Sequence, residues 1–112
     1  MSRPKTSKVR FEIRLPLYYN DGTETEPEKY EETKNEVYEK FGAFTVLAVT
    51  QGGWRGPDTD EIYIEPSGGF FVDIDKERLD ETIEFFKQYK GILKTRFKQE
   101  EIYIVGYELY VI

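Results

Sequence analysis

Apolar and polar residues alternate strictly in the segment KVRFEIRLPLYY, which begins at Lys8. One side of an extended chain would carry Val9, Phe11, Ile13, Leu15 and Leu17, and the other Arg10, Glu12 and Arg14. A period of two is typical of a β-strand with one buried face. The pattern therefore predicts a first strand that places apolar side chains on a core and charged side chains on the opposite face.

Two further segments follow the 3.6-residue period of amphipathic helices. The first, PEKYEETKNEVYEKF, covers 27–41, and Thr25 with Glu28 is spaced as a capping box in front of it. The second is expected over about 76–98, with Asp75 as its N-cap. The apolar stripe of the second helix is wider, so this helix is expected to cover more of the sheet.

The remaining apolar segments predict the strand AFTVLAVTQ, its hairpin partner DEIYIE, a further strand FFVDID and a last strand EIYIVGYELYVI. The second and third strands form an extended hairpin that turns through 56–58, with a bulge or bend over 66–69. The order β-α-β-β-α-β indicates an α+β, ferredoxin-like split βαβ fold whose two helices cover one face of an antiparallel or mixed sheet. We expect the first and third strands to be parallel neighbours in its centre, with the last strand beside the first.

The 112 residues suit a single domain, which we place at 9–112. Residues 1–8 are expected to form a flexible basic arm, since Arg3, Lys5 and Lys8 cluster there. No apolar run approaches the length of a membrane span and no signal segment opens the chain, so a cytoplasmic protein without membrane contact is expected.

The pattern of apolar residues in the last strand predicts that the chain assembles with other copies of itself. This strand is apolar on both sides, and one layer of helices covers only one of them. On the helix-free face we expect Arg10, Glu12 and Arg14 with Asp73, Glu108 and Tyr110. A second subunit would supply the missing cover, so a homo-oligomer is expected, with a dimer favoured.

The single tryptophan lies where the backbone is loosest, in the stretch TQGGWRGPDTDEIYIEPSGG at 50–69. Trp and Arg are enriched in interface hot spots, so Trp54 and Arg55 are interpreted as an assembly contact. Two alternatives stay open. Trp54 could pack under its own hairpin, or it could stack on a base or a sugar.

The amino-acid composition excludes several kinds of catalytic and metal-binding site. The chain has no His and no Cys, so Ser-His and Cys-His nucleophilic pairs, His- or Cys-bound zinc and His-ligated haem are excluded. The net charge of -6 argues against a nucleic-acid partner. No cofactor is expected apart from a hard cation such as Mg²⁺, and whether the protein is an enzyme stays open.

A magnesium site is one candidate for catalysis. If the first and third strands are parallel, their ends gather Asn20, Asp21, Asp73 and Asp75 at one edge of the sheet. Such a metal could activate water against a phosphodiester, as in small ferredoxin-like nucleases. The alternative is that Asp21 shapes a turn, Asp75 caps a helix and Asp73 pairs with an arginine.

An anion pocket is the second candidate. Arg10 and Arg14, with Glu12, Asp73 and Tyr110, could line a cavity between two sheets and bind a small anionic ligand. Related dimeric α/β-barrel proteins use that location for small-molecule chemistry. The alternative is a salt-bridged interface that sets the register of the subunits.

Four short motifs, FTVL, GGW, EPS and RFKQEEIYIV, resemble the pattern of a small bacterial family known as domain of unknown function 3574. The resemblance covers roughly 10–112. Its matching positions are Trp54, Glu65, Ser67, Phe97, Gln99 and Glu100. It implies the same order of strands and helices, and it attaches no activity to any of these residues.

Overall fold

A computed structural model describes residues 5–56 and 62–112, with the side chains of 5–7, 54 and 62–65 outside that description. The elements are β1 (Lys5–Pro16), α1 (Pro27–Phe41), β2 (Thr45–Arg55), β3 (Ile62–Asp75), α2 (Leu79–Arg96) and β4 (Tyr103–Val111). A short 3₁₀ turn, Lys76–Arg78, connects β3 to α2. The order of elements is the one that the sequence predicts.

The four strands form one sheet in the order β2-β3-β1-β4, and every neighbouring pair is antiparallel. The ferredoxin-like α+β fold is therefore confirmed. The expected parallel pairing of β1 with β3 is wrong. The crossover through α1 leaves a gap between β1 and β2, and β3 fills it after a hairpin turn, so β3 runs opposite to both neighbours.

The core lies between the sheet and the two helices. On the helix-covered face, β1 contributes Val9, Phe11, Ile13 and Leu15, and β3 contributes Phe70, Val72 and Ile74. The helices bury Val37, Phe86, Tyr89 and Leu93 against them. Phe11 stacks on Phe86 with ring centroids 5.1 Å apart. The period-two pattern of β1 thus assigns its two faces correctly.

A polar network joins α1 to α2 beside this core. Nη1 of Arg96 donates to Oε1 of Glu36 at 2.6 Å and to Oγ1 of Thr33 at 2.9 Å. The hydroxyl of Tyr89 donates to the same Glu36 oxygen at 2.9 Å. Burial alone would raise the pKa of Glu36, but the hydrogen bonds from Arg96 and Tyr89 outweigh it and lower that pKa.

The side-chain caps predicted for the two helices do not form. Glu26, not Thr25, is the N-cap of α1, and it makes no side-chain capping bond. The Thr25 hydroxyl instead donates to the carbonyl of Pro16. Asp75 likewise forms no side-chain cap, because its carboxylate pairs with Lys8 across the sheet. Tertiary contacts take these side chains away from the helix ends.

The register of β4 is set by a close approach at Gly106. Gly106 pairs with Phe11, and a Cβ there would lie 2.7 Å from the Phe11 ring. The helix-covered side of β4 therefore carries Gly106, Glu108 and Tyr110. The expectation that Glu108 and Tyr110 lie on the helix-free face is wrong. Glu108 pairs with Lys76 in the turn that leads to α2.

The hairpin of β2 and β3 extends beyond the sheet. Pairing of β1 with β3 ends at Pro16↔Ser67, whereas β2 and β3 continue to Arg55↔Ile62. The segments 51–55 and 62–66 form a two-stranded ribbon, which we call the ribbon. A bulge at its base sets Leu47 opposite Gly69 and Thr50 opposite Ser67, near the predicted break. Most of the predicted turn, 57–58, lies outside the described residues.

The first strand begins earlier than predicted. Lys5 pairs with Val111, and Lys8 pairs with both Leu109 and Asp75, so part of the expected basic arm belongs to the sheet. Residues 1–4 lie outside the described range. Within the described ranges, neither helix combines the length and the apolar character needed to cross a membrane.

Candidate functional site

The helix-free side of the sheet, which we call the open face, has three ion pairs at its centre. Nζ of Lys8 lies 2.5 Å from Asp75, and Arg10 donates two hydrogen bonds to Asp73 at 2.8 and 3.0 Å. The third pair joins Nη2 of Arg14 to Oε2 of Glu12 at 3.2 Å. Each of these six side chains finds a partner of opposite charge within its own sheet.

The side chains around these pairs complete the network. The Tyr107 hydroxyl donates to Oε1 of Glu12 at 2.5 Å, and this carboxylate raises the pKa of Tyr107. Nη1 of Arg14 donates to the Thr50 hydroxyl at 2.8 Å. The Arg10 guanidinium lies 4.0 Å from the centre of the Phe71 ring. Charge on the open face is thus held in fixed, mutually satisfied contacts.

Beside the ion pairs runs an apolar stripe supplied by β4. Its members, by their register opposite β1, are Tyr103, Val105, Tyr107, Leu109 and Val111. Tyr103 is 64% exposed and Val111 is 55% exposed, and neither helix reaches this side. The sequence predicts apolar residues on both sides of this strand, and the structure places one set over the core and the other on the open face.

The two arginines proposed for an anion pocket lie together on the open face as predicted, but each is already paired. Bonds to Asp73 raise the pKa of Arg10, although partial burial opposes the shift. Arg14 pairs with Glu12 and also donates a hydrogen bond to the Thr50 hydroxyl. Tyr110 lies on the other side of the sheet. An anion would have to displace carboxylates, so this arrangement favours the salt-bridged alternative.

The three carboxylates proposed for magnesium do not come together. Asp73 and Asp75 lie at the end of β3 that pairs with the start of β1, whereas Asp21 follows the opposite end of β1. Asp21 accepts bonds from the amide and hydroxyl of Thr23, which lower its pKa. Among the described residues, no group of three or more carboxylates is placed to hold a metal. The antiparallel pairing of β1 with β3 removes the basis of that hypothesis.

Trp54 and Arg55 lie in the ribbon, where β2 pairs Trp54 with Tyr63 and Arg55 with Ile62. The side chain of Trp54 is outside the described part of the structure. Arg55 is exposed. The backbone thus places the predicted assembly contact on a protruding pair of strands, as the sequence suggests.

A cleft of about 1100 Å³ opens where the ribbon leaves the sheet. It lies between the end of β1 with the following loop, the base of the ribbon, and the segment that joins α2 to β4. Its polar lining includes Arg14, Asn20, Thr50, Gln51, Gln99 and Glu101, and its rings are Tyr18, Tyr19 and Tyr103. Sequence reasoning did not predict this cleft, which we call the ribbon cleft, because its walls come from four distant segments.

A compact polar cluster supports one wall of the ribbon cleft. The buried Tyr19 donates its hydroxyl proton to Glu26 and accepts a hydrogen bond from Lys29. The bond from Tyr19 lowers the pKa of Glu26 to about 2. Nζ of Lys29 and of Lys98 lie 4.8 and 4.9 Å from the Tyr19 ring centre. These contacts hold the loop between β1 and α1 in place.

Comparison by sequence identifies no relative, since no family model and no curated protein matches the chain. The resemblance to domain of unknown function 3574 stays a prediction.

Comparison by structure finds similar folds. CutA from Synechococcus elongatus PCC7942 is 8% identical, with a TM-score of 0.60, and the match covers 96% of this chain and 80% of CutA. A phage SAM lyase in complex with S-methyl-5'-thioadenosine is 14% identical, with a TM-score of 0.60 and coverage of 99% and 95%. The same kind of enzyme in its apo state is 16% identical, with a TM-score of 0.61 and coverage of 96% and 86%. At these identities the likeness shows the shared fold alone.

Proposed function

We propose that the protein is a homo-oligomeric binding module in which the open face packs against a second copy of the chain. The observation that carries this proposal is the apolar stripe of β4, which lies on the side of the sheet that neither helix covers. Apolar surface of this kind gains free energy when a partner removes it from water. A dimer is the simplest closed assembly that covers it.

The charges of the open face favour a second copy as the partner. The ion pairs of the open face are complete within one sheet, those of Lys8 with Asp75, Arg10 with Asp73 and Arg14 with Glu12. A second copy presents the same paired charges, so it can cover this face without leaving an unpaired charge in the interface. A two-fold interface requires a surface that matches itself in this way.

The ribbon supplies a second reason for assembly. An isolated two-stranded hairpin has little stability in water, because it needs a third strand or a packed face. Segments 51–55 and 62–66 pair with each other beyond the last β1–β3 pair, Pro16↔Ser67. A neighbouring subunit would give the ribbon a surface to pack on, with Trp54 and Arg55 as its natural contacts.

Light scattering after size exclusion tests the proposal directly. The wild type should have a mass of at least twice the 13.3 kDa of one chain. Leu109→Asp puts a charge into the apolar stripe, opposite Lys8, where a single subunit tolerates it. This variant should fall to the mass of one chain with its circular dichroism unchanged. A wild type that elutes as a single chain at 100 µM contradicts the proposal.

Two controls localise the effect. Tyr110→Asp makes a comparable change one residue away on the helix-covered side of the same strand, and it should leave the mass unchanged. Trp54→Ala tests the ribbon separately and should weaken the assembly. If Tyr110→Asp dissociates the protein as fully as Leu109→Asp, the open face is not the interface.

A further inference from the structure

We infer that the ribbon cleft binds an uncharged, planar heterocycle that carries hydroxyl groups, the chemistry of a nucleoside. The inference goes beyond assembly, since the cleft exists within one chain. Its volume of about 1100 Å³ exceeds that of a nucleoside and leaves room for the water that a polar ligand retains.

The charges of the ribbon cleft argue for a neutral ligand. Among the described residues that line it, Arg14 and Glu101 have formal charges. Arg14 is paired with Glu12, and Glu101 lies 2.6 Å from Nζ of Lys90. A phosphate or carboxylate would have to break one of these pairs, whereas an uncharged molecule can leave both intact.

The rings of the ribbon cleft suit a planar ligand. Tyr18 lines the cleft, lies outside the apolar stripe of β4 and is 45% exposed, so its ring is accessible to a ligand. Stacking on such rings is favourable for any base, because every base has a π-face. A sugar alone or an aliphatic chain would use this surface less fully.

Neutral polar groups at the same place suit the edges of a base and the hydroxyls of a sugar. Asn20, Gln51 and Gln99 supply side-chain amides, each of which can donate and accept. The hydroxyls of Thr50 and Ser67 lie 3.3 Å apart at the base of the ribbon. Amides of Asn and Gln pair with the edge of adenine in other recognition sites, so adenosine is the first probe.

Gly52 offers a clean way to close the ribbon cleft. It lines the cleft, and a Cβ added there would have no atom within 4 Å. A Cβ at Gly52 therefore meets no steric conflict, and we expect the ring of Gly52→Phe to occupy the cleft. Gly91 on α2 also has open space around its added Cβ and lies away from the cleft, so Gly91→Phe is the matched control.

The experiment is calorimetric titration of the wild-type protein with adenosine, uridine, adenosine 5'-monophosphate and ribose. We expect adenosine to bind with a Kd below about 1 mM. The monophosphate should bind no more tightly, and ribose should not bind. Gly52→Phe should abolish binding, and Gly91→Phe should preserve it. Tyr18→Ala should weaken binding about tenfold, while Tyr110→Ala, which removes an exposed ring elsewhere, should have no effect.

The contrary outcomes are equally specific. Failure of both nucleosides to bind, tenfold tighter binding of the monophosphate, or unchanged binding in Gly52→Phe would each overturn the inference. The mass of every sample is measured in parallel. A chain that binds adenosine as a monomer refutes the assembly and supports this inference, whereas an oligomer that binds no nucleoside does the reverse.

Discussion

The two faces of β1 are built from alternate residues of one short segment, yet one carries buried apolar side chains and the other carries partly exposed charges. Ile13 and Leu15 on the helix-covered face are fully buried under α1 and α2. Arg10 and Arg14 on the open face stay partly exposed and are held by carboxylates of their own sheet. The comparison indicates that the stability of one chain comes mainly from the covered face, whereas the open face is the one that we propose packs against a partner.

The polar contacts on the two sides of the sheet also differ in how far they are exposed to water. The Arg96 side chain is 9% exposed and joins two helices, whereas Arg10 is 30% exposed and joins two strands that backbone hydrogen bonds already connect. Desolvated polar groups are costly to leave without partners, and exposed ion pairs contribute little. Substitutions on the helix-covered side should therefore lower the free energy of unfolding more than substitutions on the open face.

The largest effect is expected for Ile13→Ala. This side chain is 0% exposed, so its truncation leaves a cavity between the sheet and the helices. We expect the free energy of unfolding to fall by about 2–5 kcal/mol. Urea denaturation followed by circular dichroism measures it. Arg10→Ala, three residues earlier on the open face, is the control, with an expected loss below about 1 kcal/mol. Equal losses would contradict the assignment of stability to one face.

A smaller effect is expected for Arg96→Ala. The substitution leaves Glu36 and the Tyr89 hydroxyl without their cationic partner between α1 and α2. Glu36 is 40% exposed, so water compensates in part, and we expect a loss of about 2 kcal/mol. Thermal unfolding of this variant beside Lys87→Ala, which removes an exposed pair with Glu84 on α2, measures the difference. A loss no larger than that of Lys87→Ala would show that this network does not contribute.

The smallest effect is a dependence on pH. The folded-state pKa of Glu26 is about 2, below its ordinary value of 4.5, because Tyr19 donates a hydrogen bond to the carboxylate. The stabilising contribution of Glu26 is therefore full above pH 4.5 and is lost as the pH falls from 4.5 to about 2. In Tyr19→Phe the pKa of Glu26 should rise toward 4.5, which NMR titration of its carboxyl carbon would measure.

Glu81 is the internal control for that titration. Its pKa is lowered by a hydrogen bond from Arg78, far from Tyr19, so it should titrate alike in both proteins. Glu26 titrating near 4.5 in the wild type would contradict the described cluster.

The sequence predicts the covered part of the fold well, because its signals are local. Alternation in β1 assigns both faces, and the helical period places α1 at its observed bounds. Side chains with long-range partners are mispredicted. The sequence predicts Thr25 and Asp75 as helix caps, but Thr25 bonds to Pro16 across the loop before α1, and Asp75 bonds to Lys8 on another strand.

The open face is harder to predict, because its composition depends on the register of one strand. Apolar residues occupy both sides of β4, so hydrophobicity does not decide which side faces the helices. The deciding residue is Gly106, the position that can lie against the Phe11 ring without a clash. The sequence contains this glycine, but its role can be inferred only once the pairing of β4 with β1 is known. No single segment of the sequence indicates the ribbon cleft, because its walls come from four distant segments.

Hydroxyl-radical footprinting over a range of protein concentrations tests the central claim, that a second copy covers the open face. Tyr103 and Tyr107 lie on the open face, while Tyr110, on the same strand, lies on the other side and is 72% exposed. We predict that oxidation of Tyr103 and Tyr107 falls as the concentration rises from 0.1 to 100 µM, while that of Tyr110 stays constant. Constant oxidation of all three tyrosines across this range would contradict the account.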